Sequence, residues 1–317
     1  MNNTLYIVIP CFNEEEALPI TAQVLLSKLK QLVFEEKISA DSRIMLVDDG
    51  SRDTTWKVIE SLAAEYTEFC GIKLSANRGT QKALLAGMEQ AAERCDFIVS
   101  TDADLQDDIN AIDKMVDEYK NGAEIVYGVR SSRESDTFLK RFTAELYYKV
   151  LNWLECGTVF NHSDYRLLSK RAVQTLMEYG ERDMFIRGIL PMVGFKSVTV
   201  EYERRERNAG KTKYTVGSLI RLATMGITSL SLKPLGLIRW LGAMMIAAAA
   251  VIVIVGLVRG GMGTIGAISA NIWFAGGIMT VALGVVGEYV GRILAETKKR
   301  PRYHIEKTAN LKDKFEI

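Results

Sequence analysis

The first part of the chain alternates short apolar runs with longer stretches in which apolar residues recur every three or four positions. Short runs bounded by turn residues predict buried strands, and the longer period predicts amphipathic helices. The predicted strands are residues 5–9, 43–47, 71–74, 97–101 and 124–129. The predicted helices are residues 14–33, with Asn13 as the N-cap, 54–66, 80–94 and 109–121. This alternation predicts an α/β fold with a mostly parallel, Rossmann-like sheet covered by helices.

The regular alternation ends near residue 130. An aromatic-rich helix is predicted at 138–160, a helix at 171–179, a strand at 198–202 and a basic loop at 204–214. We expect the first domain to comprise residues 1–214. Residues 215–234 have one apolar face that also carries Arg221. They predict an amphipathic helix, either at a membrane surface or packed on the domain, and the pattern favours neither.

The chain is strongly apolar from residue 235 to residue 294. Spans 235–258 and 265–290 are each long enough to cross a bilayer core of about 30 Å, which needs roughly 20 residues. Basic residues flank the outer ends of the two spans, and the loop between them carries only Arg259. The positive-inside rule therefore predicts a transmembrane hairpin with both termini cytoplasmic and residues 295–317 as a cytoplasmic tail. Buried core helices are the alternative interpretation.

The overall charge is nearly balanced, with 40 basic and 39 acidic residues. This balance argues against a nucleic-acid partner held by a global positive field. The four cysteines are widely spaced, which does not predict a zinc site or a disulfide framework. Phosphate-binding G-x-x-x-x-G-K-[ST] and hydrolase G-x-S-x-G motifs are absent from the sequence.

Acidic residues follow two of the predicted strands. Asp48 and Asp49 end the second strand, and capping of the next helix does not account for them. Asp102 and Asp104 follow the fourth strand and stand two apart, so in extended chain both side chains can point the same way. Two carboxylates in this position suit Mg²⁺ or Mn²⁺ bound to a diphosphate. In a parallel sheet, ligands bind beyond these strand ends.

Basic residues that suit phosphate contacts occur later in the chain. They are Arg130, Arg133, Arg166 and the group Arg204, Arg205, Arg207, Lys211 and Lys213. For residues 203–213, a solvated charged run is an equally good interpretation.

Four sequence blocks together resemble one family. They are V-I-P-C-F-N-E-E at residues 8–15, V-D-D-G-S-R-D-T-T at 47–55, N-R-G at 77–79 and T-D-A-D-L-Q-D-D at 101–108. Their order and spacing resemble the family 2 glycosyltransferases of the GT-A fold, over about residues 5–230. The apolar hairpin resembles the polyprenyl-phosphate branch, which comprises bactoprenol glucosyltransferases and dolichol-phosphate mannose synthases.

The resemblance implies roles for particular residues. The residues implied to bind the nucleotide-sugar donor are Pro10, Asn13, Glu14, Asp49, Asp102, Gln106 and Arg130. Asp102 and Asp104 are the implied ligands of Mg²⁺ or Mn²⁺, and Asp104, Asp164 and Arg166 the implied catalytic residues. The implied contacts to the lipid phosphate are Arg204, Lys211, Lys213 and Tyr214.

The resemblance implies an inverting transfer of a hexose, with glucose from UDP-glucose as the first expectation. The implied acceptor is undecaprenyl or another polyprenyl phosphate at the cytoplasmic face of the inner membrane. Transfer from GDP-mannose, a processive synthase, and a non-catalytic membrane scaffold are the alternatives; homo-oligomers are also possible. A phosphate monoester is largely ionised above about pH 6, so a role for Asp164 as general base stays open beside a positioning role.

Overall fold

The computed structural model describes residues 3–131, 162–181, 184–203, 264–298 and 300–311, together with Met244. Several predicted segments lie outside these ranges: the helix at 138–160, the basic loop at 204–214, the amphipathic helix at 215–234 and the first apolar span at 235–258. The predicted lipid-phosphate residues, Arg204, Lys211, Lys213 and Tyr214, are therefore also outside the described residues.

Strands and helices alternate in the described part of the domain. The strands are β1 (Leu5–Cys11), β2 (Arg43–Asp48), β3 (Phe69–Leu74), β4 (Phe97–Ser100), β5 (Ile125–Arg130), β6 (His162–Ser169), β7 (Ser197–Tyr202) and β8 (Ile305–Ala309). The helices are α1 (Leu18–Phe34), α2 (Thr55–Glu65), α3 (Thr80–Ala92), α4 (Ala111–Lys120), α5 (Lys170–Glu178), α6 (Ile186–Ile189) and α7 (Thr264–Thr297), with a 3₁₀ turn at Leu190–Val193.

All eight strands form one mixed sheet in the order β7-β5-β6-β4-β1-β2-β3-β8. The pairs β1–β2, β1–β4, β2–β3 and β5–β7 are parallel. The pairs β4–β6, β5–β6 and β3–β8 are antiparallel. The predicted α/β fold is confirmed. Parallel pairs predominate among the strands that the sequence pattern predicted, and two unpredicted strands, β6 and β8, make the sheet mixed.

The sheet separates two hydrophobic cores, because alternate residues of a strand face opposite sides. Ile7 and Ile9 pack on the side of α1, whereas Val8 packs on the side of α3. Helix α3 lies very close to the sheet at Gly87, where an added Cβ would approach Val8 Cγ1 to 2.4 Å. Because both faces of the central strand β1 pack against hydrophobic cores, β1 has few polar side chains before the edge of the sheet at which it ends.

Helix α1 begins at Leu18, later than the predicted residue 14, and Asn13 is not its N-cap. Asn13 has a positive φ of 52°, which a helix start does not permit. The backbone N–H of Asn13 donates to Ser51 Oγ (3.0 Å), and that of Glu14 donates to Thr55 Oγ1 (2.8 Å). Residues expected to form the first helical turn instead bind the loop after β2, because that loop supplies hydroxyl acceptors.

Strand β8 lies in the segment predicted as a tail and forms the edge of the sheet beside β3. Ser75 N–H donates to the carbonyl of His304 (3.0 Å), and Asn310 Nδ2 donates to the carbonyl of Phe69 (2.7 Å). Lys73 forms an ion pair with Glu306 (3.2 Å). The sequence pattern missed β8 because it is a short, largely exposed strand without a run of apolar residues.

Helix α7 contains the whole of the second predicted apolar span, residues 265–290. Its window Phe274–Gly291 has a mean hydropathy of 1.4, and none of the window is buried within the protein. By length and composition this helix can cross a membrane, and it is the one such helix among the residues that the structure describes. The first predicted span lies outside those residues, so a two-helix hairpin remains a prediction.

Candidate active site

The predicted donor-site residues meet at one edge of the sheet. Strands β1, β2 and β4 run parallel, so the loops that follow Cys11, Asp48 and Ser100 lie at the same edge. Strand β6 runs antiparallel to β4 and begins at this edge, which brings Asp164 there too. Ser100 Oγ donates to the backbone carbonyl of Asp164 (2.6 Å) and joins the two strands at this point.

Asp49 lies beneath the loop that follows β3. Its side chain is 2% exposed, and its two oxygens accept hydrogen bonds from the backbone N–H groups of Arg78 (2.7 Å) and Gly79 (2.9 Å). Burial raises the pKa of Asp49 to about 6, and the two N–H donors act against this rise. Asp49 therefore holds the loop before α3 in place. Its predicted contact with the nucleotide remains a prediction.

Gly50 brings two site loops into close contact. It has a φ of +66°, and an added Cβ would lie 2.6 Å from the backbone carbon of Ala76 and 2.6 Å from the backbone nitrogen of Asn77. Both the conformation and the space therefore require glycine.

We expect Gly50→Ala to displace the loop at residues 76–79 and to raise the KM for the predicted nucleotide-sugar donor more than tenfold. The new Cβ meets backbone atoms that cannot rotate away, and a residue with positive φ adds strain. Steady-state kinetics with the donor varied provides the measurement. Gly180→Ala is the matched control, since a Cβ there meets nothing within 4 Å. An unchanged donor KM in Gly50→Ala would show that this loop does not shape the donor site.

The loop after β1 lies beside the loop after β2. Arg52 N–H donates to Asn13 Oδ1 (2.9 Å), and Thr54 N–H donates to Glu15 Oε2 (2.8 Å). Pro10 and Glu14 are half-buried at the same edge. The structure thus brings the predicted nucleotide-site residues of both loops together, and their contacts with a nucleotide remain predictions.

Asp102 and Asp104 form the acidic part of the site. Burial, together with the negative charges of Asp164, Asp107 and Asp104, raises the pKa of Asp102 to about 7, and the positive charge of Arg187 acts against this rise. Asp104 Oδ1 accepts a hydrogen bond from the backbone N–H of Gln106 (3.2 Å). Leu105 between them has a positive φ of 52°. The loop is therefore held in a conformation that concentrates negative charge, despite electrostatic repulsion.

This arrangement fits a divalent cation. Carboxylate oxygens are the ligands that Mg²⁺ prefers, and a cation would relieve the repulsion around Asp102. Within the described ranges, no three His, Cys, Asp or Glu side chains are grouped closely enough to hold a metal ion. An ion bound by Asp102 and Asp104 therefore needs further oxygen ligands from water or from a phosphate.

Asp164 is the centre of a hydrogen-bond network. Arg166 Nη2 donates to its Oδ1; Arg187 donates through Nη2 to Oδ2 (3.0 Å) and through Nε to Oδ1 (3.2 Å). Gln81 Nε2 also donates to Oδ2 (3.2 Å). Arg166 is fully buried within β6, and burial lowers its pKa. Asp164 and Arg166 were predicted from the sequence, whereas Arg187 and Gln81 were not, because neither lies in an acidic or basic cluster.

Arg130 is positioned by a second network. Arg130 Nε donates to the hydroxyl of Tyr202 (3.4 Å), which in turn donates to Ser163 Oγ (2.8 Å). Burial raises the pKa of Tyr202 to about 12, so its hydroxyl stays protonated and able to donate. The charges of Asp107 and Arg187 both act on Arg130. Strand β5 ends beside the start of β6, so Arg130 lies at the same edge of the sheet as the acidic loop and Asp164.

Comparisons with known proteins define the class to which this site belongs. Residues 6–177 match the model of glycosyl transferase family 2. An uncharacterised glycosyltransferase, YkoT, of Bacillus subtilis is 44% identical over 95% of this chain and 91% of its own. A prophage bactoprenol glucosyl transferase homolog of Escherichia coli is 38% identical, over 95% of this chain and 98% of its own. The bactoprenol glucosyl transferase of Shigella phage SfX is 36% identical over the same shares.

The chain belongs to glycosyl transferase family 2. The family predicted from the four sequence blocks is confirmed, and so is the prediction of an enzyme. Among solved structures, a glucosyl-3-phosphoglycerate synthase of Mycobacterium tuberculosis aligns with a TM-score of 0.46 at 19% identity, over 72% of this chain and 79% of that one. The mixed α/β sheet is a GT-A-like architecture.

Proposed function

We propose that this protein transfers glucose from UDP-glucose to polyprenyl phosphate, with inversion, at the cytoplasmic face of the inner membrane. We further propose a multi-pass anchor made of the spans 235–258 and 265–290, with the catalytic domain and both termini cytoplasmic. The similarity to bactoprenol glucosyl transferases over 95% of the chain supports the acceptor and the sugar. The apolar, unburied surface of α7 supports the anchor.

One observation supports the transfer chemistry most strongly: the acidic loop with Asp102 and Asp104, Arg130 at the end of β5, and the Asp164 network all lie at one edge of the sheet. Asp102 and Asp104 would hold Mg²⁺ or Mn²⁺, which would supply positive charge to the leaving diphosphate. Arg130, fixed by Tyr202, adds a guanidinium that suits phosphate oxygens. Positioned charge of this kind stabilises a departing anion without any reorganisation during the reaction.

The acceptor phosphate supplies the attacking oxygen in this proposal. Its second pKa is near about 6, so the nucleophile is largely ionised at neutral pH and has little need of a base. Both oxygens of Asp164 accept hydrogen bonds from arginine side chains. We therefore assign Asp164 a positioning role, and the contacts of Arg204, Lys211, Lys213 and Tyr214 with the lipid phosphate remain part of the proposal.

Replacing Asp164 by Asn is expected to lower kcat by less than about tenfold, because general base catalysis, which is typically worth about 10²–10⁴, is not its role. The pH dependence of kcat in the variant is expected to keep the acidic limb of the wild type. Kinetics from about pH 5 to 9 measure both, with melting temperatures recorded to confirm folding. A loss above a hundredfold together with disappearance of the acidic limb would establish Asp164 as the base.

The proposed function is tested by incubating membranes that contain the protein with undecaprenyl phosphate and labelled nucleotide sugars, one at a time. The panel comprises UDP-glucose, UDP-galactose, UDP-N-acetylglucosamine and GDP-mannose. We expect organic-extractable label from UDP-glucose, and mild acid should release it as glucose. If GDP-mannose is the one donor that gives lipid-linked label, the transferred sugar is mannose and not glucose. If no donor gives lipid-linked label, the proposed function is rejected.

A further inference from the structure

Asp164 carries one negative charge but binds two guanidinium groups. The side chain of Arg166 is 0% exposed and that of Arg187 is 30% exposed. Arg166 is the buried group that cannot do without a carboxylate partner, because an unpaired buried charge is strongly destabilising. Arg187 is partly exposed, so the stability of the fold does not require a carboxylate partner for its charge. The three side chains together carry a net charge of +1, and Arg187 is the cation that a ligand can reach.

Helix α6 leaves the side chain of Arg187 partly exposed and buries the residues on either side of it. All its neighbours from Met184 to Leu190 are buried, and Arg187 alone in this stretch is partly exposed. Its fork to Asp164 uses Nε and Nη2, which form one edge of the planar guanidinium. The fork therefore fixes the plane and direction of the group, as phosphate recognition by arginine requires.

Arg187 also lies within electrostatic reach of the rest of the site. It binds Asp164, whose backbone carbonyl accepts a hydrogen bond from Ser100 Oγ (2.6 Å) at the end of β4, where the acidic loop begins. Arg130 ends β5 beside the start of β6, at the same edge of the sheet, and an anion bound between Arg130 and Arg187 would relieve their mutual repulsion. The acidic loop and the two arginines together suit an anion that is bound by a metal ion and by guanidinium groups.

We propose that Arg187 binds a phosphate group in the active site, with Asp164 holding its guanidinium in the required orientation. The inference rests on the proposed function, because that function supplies two phosphate-bearing substrates at this edge of the sheet. The phosphate belongs either to the diphosphate of the donor or to the polyprenyl phosphate acceptor. Both present the same chemistry to an arginine, and kinetics with each substrate varied separately distinguish them.

The test uses the purified full chain with Arg187→Gln and Arg187→Lys, and measures kcat and KM for UDP-glucose and for undecaprenyl phosphate. Loss of a charged hydrogen bond predicts that Arg187→Gln raises one of the two KM values by about ten- to a hundredfold. A higher KM for the lipid assigns the phosphate to the acceptor, and a higher KM for UDP-glucose assigns it to the donor. Arg187→Lys should restore part of the loss, since it keeps the charge.

Arg171→Gln is the matched control, because Arg171 is 70% exposed and lies beyond the opposite end of β6 from Asp164. A purely structural role would lower the melting temperature and kcat of Arg187→Gln but leave both KM values unchanged, and that result overturns the inference. Two unchanged KM values with full activity overturn it as well.

A wild-type chain that forms no glycolipid would reject the proposed function instead. Phosphate binding by Arg187 would then be tested without turnover. The measurement is the rise in the melting temperature of each variant on addition of UDP with Mg²⁺ or of farnesyl phosphate. A smaller rise in Arg187→Gln than in Arg171→Gln with either ligand supports phosphate binding by Arg187. Equal rises with both ligands, or no rise in either variant or in the wild type, overturn it.

Discussion

Replacing Asp102 by Asn is expected to lower kcat by at least about 10²–10³ without lowering the melting temperature. The loss follows from removal of a carboxylate that, in the proposed function, would hold the cation, since one such electrostatic contribution is typically worth that factor. Stability should hold or rise because burial and the charges of Asp164, Asp107 and Asp104 raise the pKa of Asp102 to about 7. An ionised group with a raised pKa destabilises the fold, and a neutral amide removes that cost.

The measurement combines glycolipid synthesis at saturating donor with thermal unfolding of the purified protein, both at pH 8, where Asp102 is ionised. Asp41→Asn is the matched control, because Asp41 is exposed and lies before β2, away from the site edge. The account fails here if Asp102→Asn keeps more than about a tenth of wild-type activity. A large fall in melting temperature would instead show that Asp102 stabilises the fold.

The second large effect that we expect is a loss of stability. Arg166→Met should lower the free energy of unfolding by about 3–5 kcal/mol, because it removes one partner of a buried ion pair. Arg166 is 0% exposed in β6, which lies between β4 and β5 in the middle of the sheet. Met has no donor to replace the hydrogen bond from Arg166 to Asp164. For a domain of this size the corresponding fall in melting temperature is on the order of 10 °C.

Thermal unfolding of the detergent-solubilised chain measures this effect. Arg171→Met serves as the control, since the same change at a side chain that is 70% exposed should shift the melting temperature by no more than about 2 °C. Equal melting temperatures for Arg166→Met and the wild type would contradict the view that the Asp164 network is part of the core. A double variant, Arg166→Met with Asp164→Leu, should recover part of the loss, because the charge that remains, on Arg187, is partly exposed to solvent.

Sequence patterns predicted the part of the fold in which each element has a local signature. The apolar strands β1, β2 and β4 and the amphipathic helices between them were placed within a few residues of their observed bounds. The acids that follow β2 and β4 could be assigned to one edge, because parallel strands end at the same side of a sheet. These two rules were sufficient to locate the acidic part of the site.

The missed features depend on contacts between distant parts of the chain. Strand β6 has the sequence H-S-D-Y-R-L-L-S and begins with mostly polar residues, so no apolar pattern marks it as a central strand. Arg187 is one arginine in a short helix, 23 residues from Asp164 in sequence, and only the folded chain brings them together. Strand β8 follows α7 in the sequence and pairs with β3, which lies more than 200 residues earlier, and local sequence cannot predict such a pairing. Asn13 failed as an N-cap because neighbouring hydroxyl groups bind the backbone of its loop.

The central claim is that Asp102 and Asp104 bind a cation and through it the diphosphate of the donor. The most direct measurement is calorimetric titration of UDP-glucose into the purified chain, with Mg²⁺ or Mn²⁺ present and again after chelation with EDTA. The account predicts binding that requires the metal in the wild type and is lost in Asp102→Asn and Asp104→Asn. Equally tight binding in EDTA, or in either variant, would contradict it.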